Sequence, residues 1–186
     1  MEYLDLLDEY GQPTGKTKER TLVHRDGDLH RTAHVWIARR DPGTNSIQLL
    51  MQKRSDRKDS YPGCYDISSA GHVPAGEGFT ESALRELKEE LGISALPEQL
   101  RFLFYHKGYA QAEFYGKTFI NNEYSAVYLY TGPVEASSLF LQEEEVSEVR
   151  WMDYETVLEQ VMQRNGKFCI FVDELAEMDQ YLSQYL

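Results

Sequence analysis

Residues 71–93 read GHVPAGEGFTESALRELKEELGI, and the second half of this stretch is crowded with acid. Glu86, Glu89 and Glu90 lie close together in a segment whose pattern predicts a helix from about Thr80 to Leu91. Thr80 is the expected N-cap, Glu81 falls in the first turn, and Gly92 stands just past the end. Leu84, Leu87 and Leu91 share one face and are expected to anchor the helix to a sheet, while the three glutamates share another. Like charges three or four positions apart destabilise a helix by a few tenths of a kcal/mol per pair. Arg85 and Lys88 are too few to neutralise all three acids. Taken alone, ELKEEL is a solvated acidic face.

Its register with the preceding residues changes that reading. Gly71 is followed after five residues by Glu77, and after seven more by Arg85-Glu86-Leu87-Lys88-Glu89-Glu90-Leu91-Gly92-Ile93. Every position of G-x5-E-x7-R-E-U-x-E-E-x-G-U is matched, U being a bulky aliphatic residue; chance would produce this in on the order of one chain in ten million. The pattern is the Nudix box, and the chain resembles the Nudix hydrolase superfamily. Three carboxylates converging on one point repel and raise one another's pKa unless a divalent cation sits between them. All-oxygen ligation suits Mg²⁺, with Mn²⁺ as a substitute. The resemblance implies that Glu86, Glu89, Glu90 and the carbonyl of Gly71 hold the metal. It implies that Arg85 orients the carboxylates and that Glu77 pairs with it or braces the loop. A metal in that place neutralises a diphosphate and activates a water for attack on phosphorus. The general base is left open between Glu86 and a glutamate outside the box, for which Glu123 is the candidate.

Regions flanking the box resemble the isopentenyl-diphosphate isomerase-like branch of the superfamily, over about residues 2–155. The landmarks are ERTLVHRDGDLHRTAHVWI (19–37), RSDRKDSYPG (54–63), SAGH (69–72) and NNE (121–123). This resemblance implies that Arg20, Arg54 and Lys58 hold the diphosphate, ahead of the turn Tyr61-Pro62-Gly63. It assigns His24, His30 and His72 to a second site, open between a metal centre and a polar pocket wall. His30, His34 and Trp36 share one strand face by alternation, opposite Val35 and Ile37. Two departures separate this chain from the isomerases. Ala70 occupies the place of the isomerase cysteine, so a group needed to relay a proton across an alkene is missing. Asn121 replaces the first carboxylate of an E-x-E pair and leaves Glu123 alone. The expected activity is therefore Mg²⁺-dependent hydrolysis of a diphosphate linkage in a small molecule. Isopentenyl-diphosphate isomerisation is the alternative, and a non-catalytic Nudix-fold ligand sensor is the second, disfavoured by the whole box.

The rest of the chain supplies the frame. Strands are expected in the opening segment before a Gly/Pro turn, at 34–40 and 46–54 as a hairpin, through 64–73, and at 100–106, 118–132 and 148–153. A second helix is expected from Asp153 to Asn165-Gly166. A third covers the C-terminus, with Val172, Leu175, Met178, Leu182 and Tyr185 as its apolar stripe. The expected fold is α/β (α+β), a mostly antiparallel mixed sheet sandwiched by helices, with the box as loop-helix-loop. One domain over 1–186 is expected, with a strand-and-turn extension in 1–30 and the C-terminal helix in 166–186.

Composition sets the partners. The 186 residues are 41% hydrophobic and 27% charged, as in soluble globular proteins. The net charge of −12 argues against a nucleic-acid polymer. The chain has no membrane-length apolar run and no signal-peptide pattern, so a cytoplasmic setting is expected. Cys64 and Cys169 lie far apart without ligand spacing and are expected to be reduced thiols. Nudix proteins are often homodimers, which the resemblance extends to this chain.

Overall fold

The computed structural model describes residues 1–186 and centres on an eleven-residue strand, β3 (His30–Arg40). Its sequence, HRTAHVWIARR, is apolar on both alternating faces. Ala33, Val35 and Ile37 pack to one side, Trp36 and Ala38 to the other. A strand buried on both faces needs neighbours at both edges and helices above and below.

Along one edge β8 (Lys117–Tyr130) runs parallel, in register from His30 opposite Glu123 to Ile37 opposite Tyr130. Along the other edge β6 (Ser69–His72) runs antiparallel. β4 (Ile47–Arg54) joins the far end of β3 and carries β9 (Val146–Asp153) and β5 (Tyr65–Asp66). β1 (Tyr3–Leu7) meets β3 at Leu6 and pairs with β2 (Pro13–Glu19). β7 (Arg101–Phe114) closes onto β8. The result is a mixed, mostly antiparallel sheet.

Helices cover both faces. From α2 (Phe79–Leu91), Ala83, Leu87 and Leu91 join Val35, Ile37 and Leu50 in one core cluster. From α3 (Tyr154–Met162) and α4 (Val172–Tyr185), Tyr154, Val157, Leu175, Met178 and Leu182 join Trp36, Leu49 and Met51 in the other. Full burial of each Leu or Met contributes roughly 1.5–3 kcal/mol. Leu84, expected among the anchors, is only half-buried at the margin of its cluster.

Several local expectations need correction. A short helix, α1 (Arg20–Asp26), occupies part of the stretch expected to be strand and turn. Glu19 caps it by accepting the Leu22 N–H at 3.3 Å, and Gly27 ends it in the left-handed region. The N-cap of α2 is Gly78 rather than Thr80. Glu81 reaches back to the Gly78 N–H at 3.0 Å, while the Thr80 hydroxyl lies 3.0 Å from the Tyr128 hydroxyl. The expected strand over 64–73 is broken at Ile67-Ser68, where Ser68 Oγ accepts the Ile37 N–H at 2.8 Å. β7 runs on well past its expected end at 106, to Phe114, and turns at Tyr115-Gly116, both at positive φ, into β8, which lies close to its expected span of 118–132. Val172, placed in the α4 stripe, is 43% exposed, whereas Leu175, Met178 and Leu182 are fully buried. α3 ends at Met162, short of the expected Asn165-Gly166.

Candidate active site

α2 lies across β6, and this packing brings the box carboxylates against the strand backbone. Glu90 is 5% exposed and faces β6, where its Oε2 accepts from the Ser69 hydroxyl at 2.8 Å and the Ala70 N–H at 3.3 Å. Burial, then the neighbouring charge of Glu86, pushes its pKa up to about 8. Glu86 is also raised by burial, against the pull of Arg85. Glu89 stays exposed at the rim. Arg85 ties the group together, donating to Glu86 at 2.7 Å, Glu89 at 3.1 Å, Glu77 at 3.4 Å and the His72 carbonyl at 3.3 Å.

Gly71 completes this arrangement. A Cβ on residue 71 would lie 2.2 Å from Cδ of Glu86, so only glycine lets the carboxylate come against the β6 backbone. Two carboxylates, Glu90 buried and Glu86 half-buried, beside a bare stretch of backbone form a hard-oxygen donor set of the kind that Mg²⁺ and Mn²⁺ take. The residues present fit a divalent cation.

Beside them sit three histidines. The ligand atoms of His24, His30 and His72 all lie within 4.8 Å of one another. His24 Nδ1 is 3.1 Å from the Ile120 carbonyl and His30 Nδ1 is 3.0 Å from the Asp28 carbonyl. A carbonyl only accepts, so both Nδ1 atoms carry protons and both neutral rings keep their lone pair on Nε2. The Nε2 of His24 is 2.9 Å from that of His72, while the buried Nε2 of His30 has no partner. Burial holds all three imidazoles neutral, lowering His30 to about 4 and His72 well below its usual range. Neutral imidazole is the metal-binding form.

Both groups open onto one cavity of about 770 Å³, which also takes in Arg20, Arg54, Lys58 and Glu123. His30 lies behind its wall, fully buried. The basic residues are partly committed already. Arg54 donates to Asp66 at 2.9 Å and to the Ser60 carbonyl at 3.0 and 3.1 Å. Lys58 pairs with Glu145, and Arg20 lies 3.5 Å from Glu2. Glu123 is 5% exposed; its Oε2 accepts from Asn121 Nδ2 at 2.7 Å, and burial raises its pKa.

A family model described as the NUDIX domain matches residues 28–169. The chain belongs to the Nudix family. It is 46% identical over 158 residues to Nudix hydrolase 3 of Arabidopsis thaliana, covering 83% of this chain and 19% of that protein. A Nudix hydrolase of Clostridium acetobutylicum is 40% identical over 145 residues, covering 78% and 66%. One of Listeria innocua is 35% identical over 181 residues, covering 96% and 95%. The chain thus spans about a fifth of the Arabidopsis protein and nearly all of the Listeria one. Among solved structures, a Deinococcus radiodurans protein gives a TM-score of 0.63 at 22% identity, covering 87% of this chain and 90% of that one. The NUDIX domain of Shewanella oneidensis NrtR, complexed with ADP ribose, gives 0.57 at 14% identity, covering 84% and 88%. These two likenesses speak for the Nudix fold. Nudix hydrolases act on small molecules and typically use divalent metals. No helix of this chain is long and apolar enough to cross a membrane.

This Nudix chain also carries a buried polar network that lies partly beyond the matched residues. Glu174, on α4, is fully buried. It accepts from Trp36 Nε1 at 2.9 Å and His34 Nδ1 at 2.9 Å, and lies 3.3 Å from His106 Nδ1. The other ring nitrogen of His34 is 3.4 Å from Glu123. Burial alone would lower the His34 pKa, but Glu174 and Glu123 outweigh it and raise it to about 9. His34 is therefore an imidazolium clamped between two carboxylates. The sequence held a signal for this pair: Glu174 adjoins Leu175 within the apolar stripe of α4, a place where a carboxylate needs a partner.

Proposed function

We propose that this chain is a Mg²⁺-dependent Nudix hydrolase that cleaves the diphosphate linkage of a small molecule by attack of water on phosphorus. The observation that carries this reading is the pairing of buried Glu90 with half-buried Glu86 beside Gly71, opening onto a cavity that also presents Arg20, Arg54 and Lys58. The Gly71 carbonyl with Glu86, Glu89 and Glu90 would hold Mg²⁺, and Mn²⁺ would substitute. Bound there, the cation would neutralise the diphosphate and lower the pKa of a water. Arg85 fixes the directions of Glu86 and Glu89, and its bonds to Glu77 and the His72 carbonyl fix Arg85 in turn. Arg54, braced by Asp66 and Ser60, would present a pre-oriented guanidinium edge to phosphate oxygens, with Lys58 and Arg20 adding charge. Glu86 or Glu123 would take the proton of the attacking water. The Nε2 lone pairs of His24 and His30, with His72, suit a second cation at the same cavity. In this reading the enzyme works in the cytoplasm.

A phosphate-release screen over prenyl and nucleoside diphosphate derivatives, with Mg²⁺ or Mn²⁺, tests the proposal. Turnover is expected only with the metal. Glu86→Gln and Glu90→Gln, both near-isosteric, should each lower kcat by at least about 100-fold while the circular dichroism spectrum stays unchanged. Full activity in both variants sinks the assignment. Isopentenyl diphosphate followed by NMR separates the isomerase alternative: dimethylallyl diphosphate as product would overturn hydrolysis. Ala70, hydrogen-bonded to Glu90 through its backbone only, offers no acid for that reaction.

A further inference from the structure

Cys64 and Cys169, remote in sequence, are neighbours in the fold. Tyr65 and Phe168 form a parallel bridge. The Tyr65 N–H donates to the Lys167 carbonyl at 2.7 Å, and the Cys169 N–H donates to the Tyr65 carbonyl at 3.0 Å. Alternation then puts Cys64 and Cys169 diagonally on one face of this pairing. The Cys64 thiol lies 3.5 Å from the Gly166 carbonyl and the Cys169 thiol 3.5 Å from the Tyr65 carbonyl, so both sulfurs sit on the same short pairing of the two segments. Both are half-buried, and Cys169 lines the large cavity within the connection from α3 to α4. We propose that Cys64 and Cys169 form a reversible intrachain disulfide that clamps the cavity wall of residues 166–171 to the start of β5.

The pair is chemically asymmetric in the way such a reaction needs. The neighbouring Cys169 thiol, and after it Arg54, lowers the Cys64 pKa, whereas the neighbouring Cys64 and burial raise that of Cys169. With a peroxide as oxidant, the Cys64 thiolate attacks one peroxide oxygen and the O–O bond breaks. This leaves a sulfenic acid and one water once the departing oxygen is protonated. The Cys169 sulfur then attacks the Cys64 sulfur; the S–S bond forms, the S–O bond breaks, and the hydroxyl leaves with the Cys169 proton as a second water. Two electrons pass from the thiols to the peroxide.

The test needs no substrate, so it stands or falls separately from the diphosphate reading. Denatured reduced protein should titrate two thiols, the only ones in the chain. After hydrogen peroxide treatment of the folded protein it should titrate none, with the monomer lighter by two hydrogens. Peptide mapping should join the peptides holding Cys64 and Cys169, and dithiothreitol should restore both thiols. Hydrogen exchange of amides 166–171 should slow on oxidation, and Cys64→Ser should abolish the slowing. Added oxygen on Cys64 without a cross-link, a disulfide between two chains, or unchanged exchange in the cross-linked protein would overturn the proposal.

Discussion

Gly71 is required for space rather than for an unusual backbone conformation, since its φ is not among the positive ones. The atoms that a methyl at this position would strike are Cγ, Cδ and Oε1 of Glu86, the free end of a side chain rather than backbone. Gly71→Ala should therefore leave the fold nearly intact and swing the Glu86 carboxylate out of place. We expect Mn²⁺ affinity, measured by calorimetric titration, to fall by about 10–100-fold, with a thermal midpoint close to that of the parent. A large loss of stability with unchanged metal affinity would show that Gly71 serves the strand instead. The spacing from Gly71 to Glu90 was legible in the sequence because every role in it is local to one loop and one helix. The opposite holds for Arg54 and Lys58. Their charges were visible, but Asp66, Ser60 and Glu145, which already engage them, approach through tertiary packing.

At the scale of elements, α4 does more than cover the core, because it delivers Glu174 to His34. The His34 pKa is raised from 6.5 to about 9, so its contribution to stability is complete below pH 6.5 and is lost as pH rises towards 9. Glu174 is lowered from 4.5, so its contribution is present above pH 4.5 and lost as pH falls below that. Urea unfolding should accordingly show stability declining between pH 6.5 and 9. Glu174→Gln should remove that decline and cost about 3 kcal/mol at pH 6, as breaking one side of a buried pair does. A variant with the parent's pH dependence would mean that His34 is not charged. Sequence periodicity placed His34 and Trp36 on one strand face and Leu175, Met178 and Leu182 on one helix face; only docking shows that the two faces meet. α1 escaped notice because seven residues give barely two turns of pattern. The second half of β7, residues 107–114, escaped because half-exposed polar residues replace apolar alternation there, and Tyr115-Gly116 is a weaker turn signal than Asn-Gly.

Across the whole molecule, charge bears on the order in which the proposed cation and diphosphate would enter. The chain carries a net charge of −12, and eight Asp or Glu residues line the large cavity against five Lys or Arg. Of those five, Arg20, Arg54, Lys58 and Arg85 are already paired with carboxylates of the same cavity. Under the proposed function, a diphosphate approaching this surface alone would meet a repelling field, whereas a divalent cation would be drawn in and would reverse the field beside the basic wall. Binding should therefore be ordered and conditional. Calorimetry with methylene diphosphonate, which resists hydrolysis, should show binding in the presence of Mg²⁺ and none after the metal is chelated. Mg²⁺ without the diphosphonate should still raise the thermal midpoint, and Glu86→Gln with Glu90→Gln should remove most of that rise. Raising the salt concentration in metal-free protein screens the repulsion at the cavity mouth but supplies no divalent cation for the Glu86 and Glu90 carboxylates, so it should not replace the metal. Equal diphosphonate binding with and without metal would mean that the arginines and lysine suffice, and would move the anion site from the Nudix box to the basic wall.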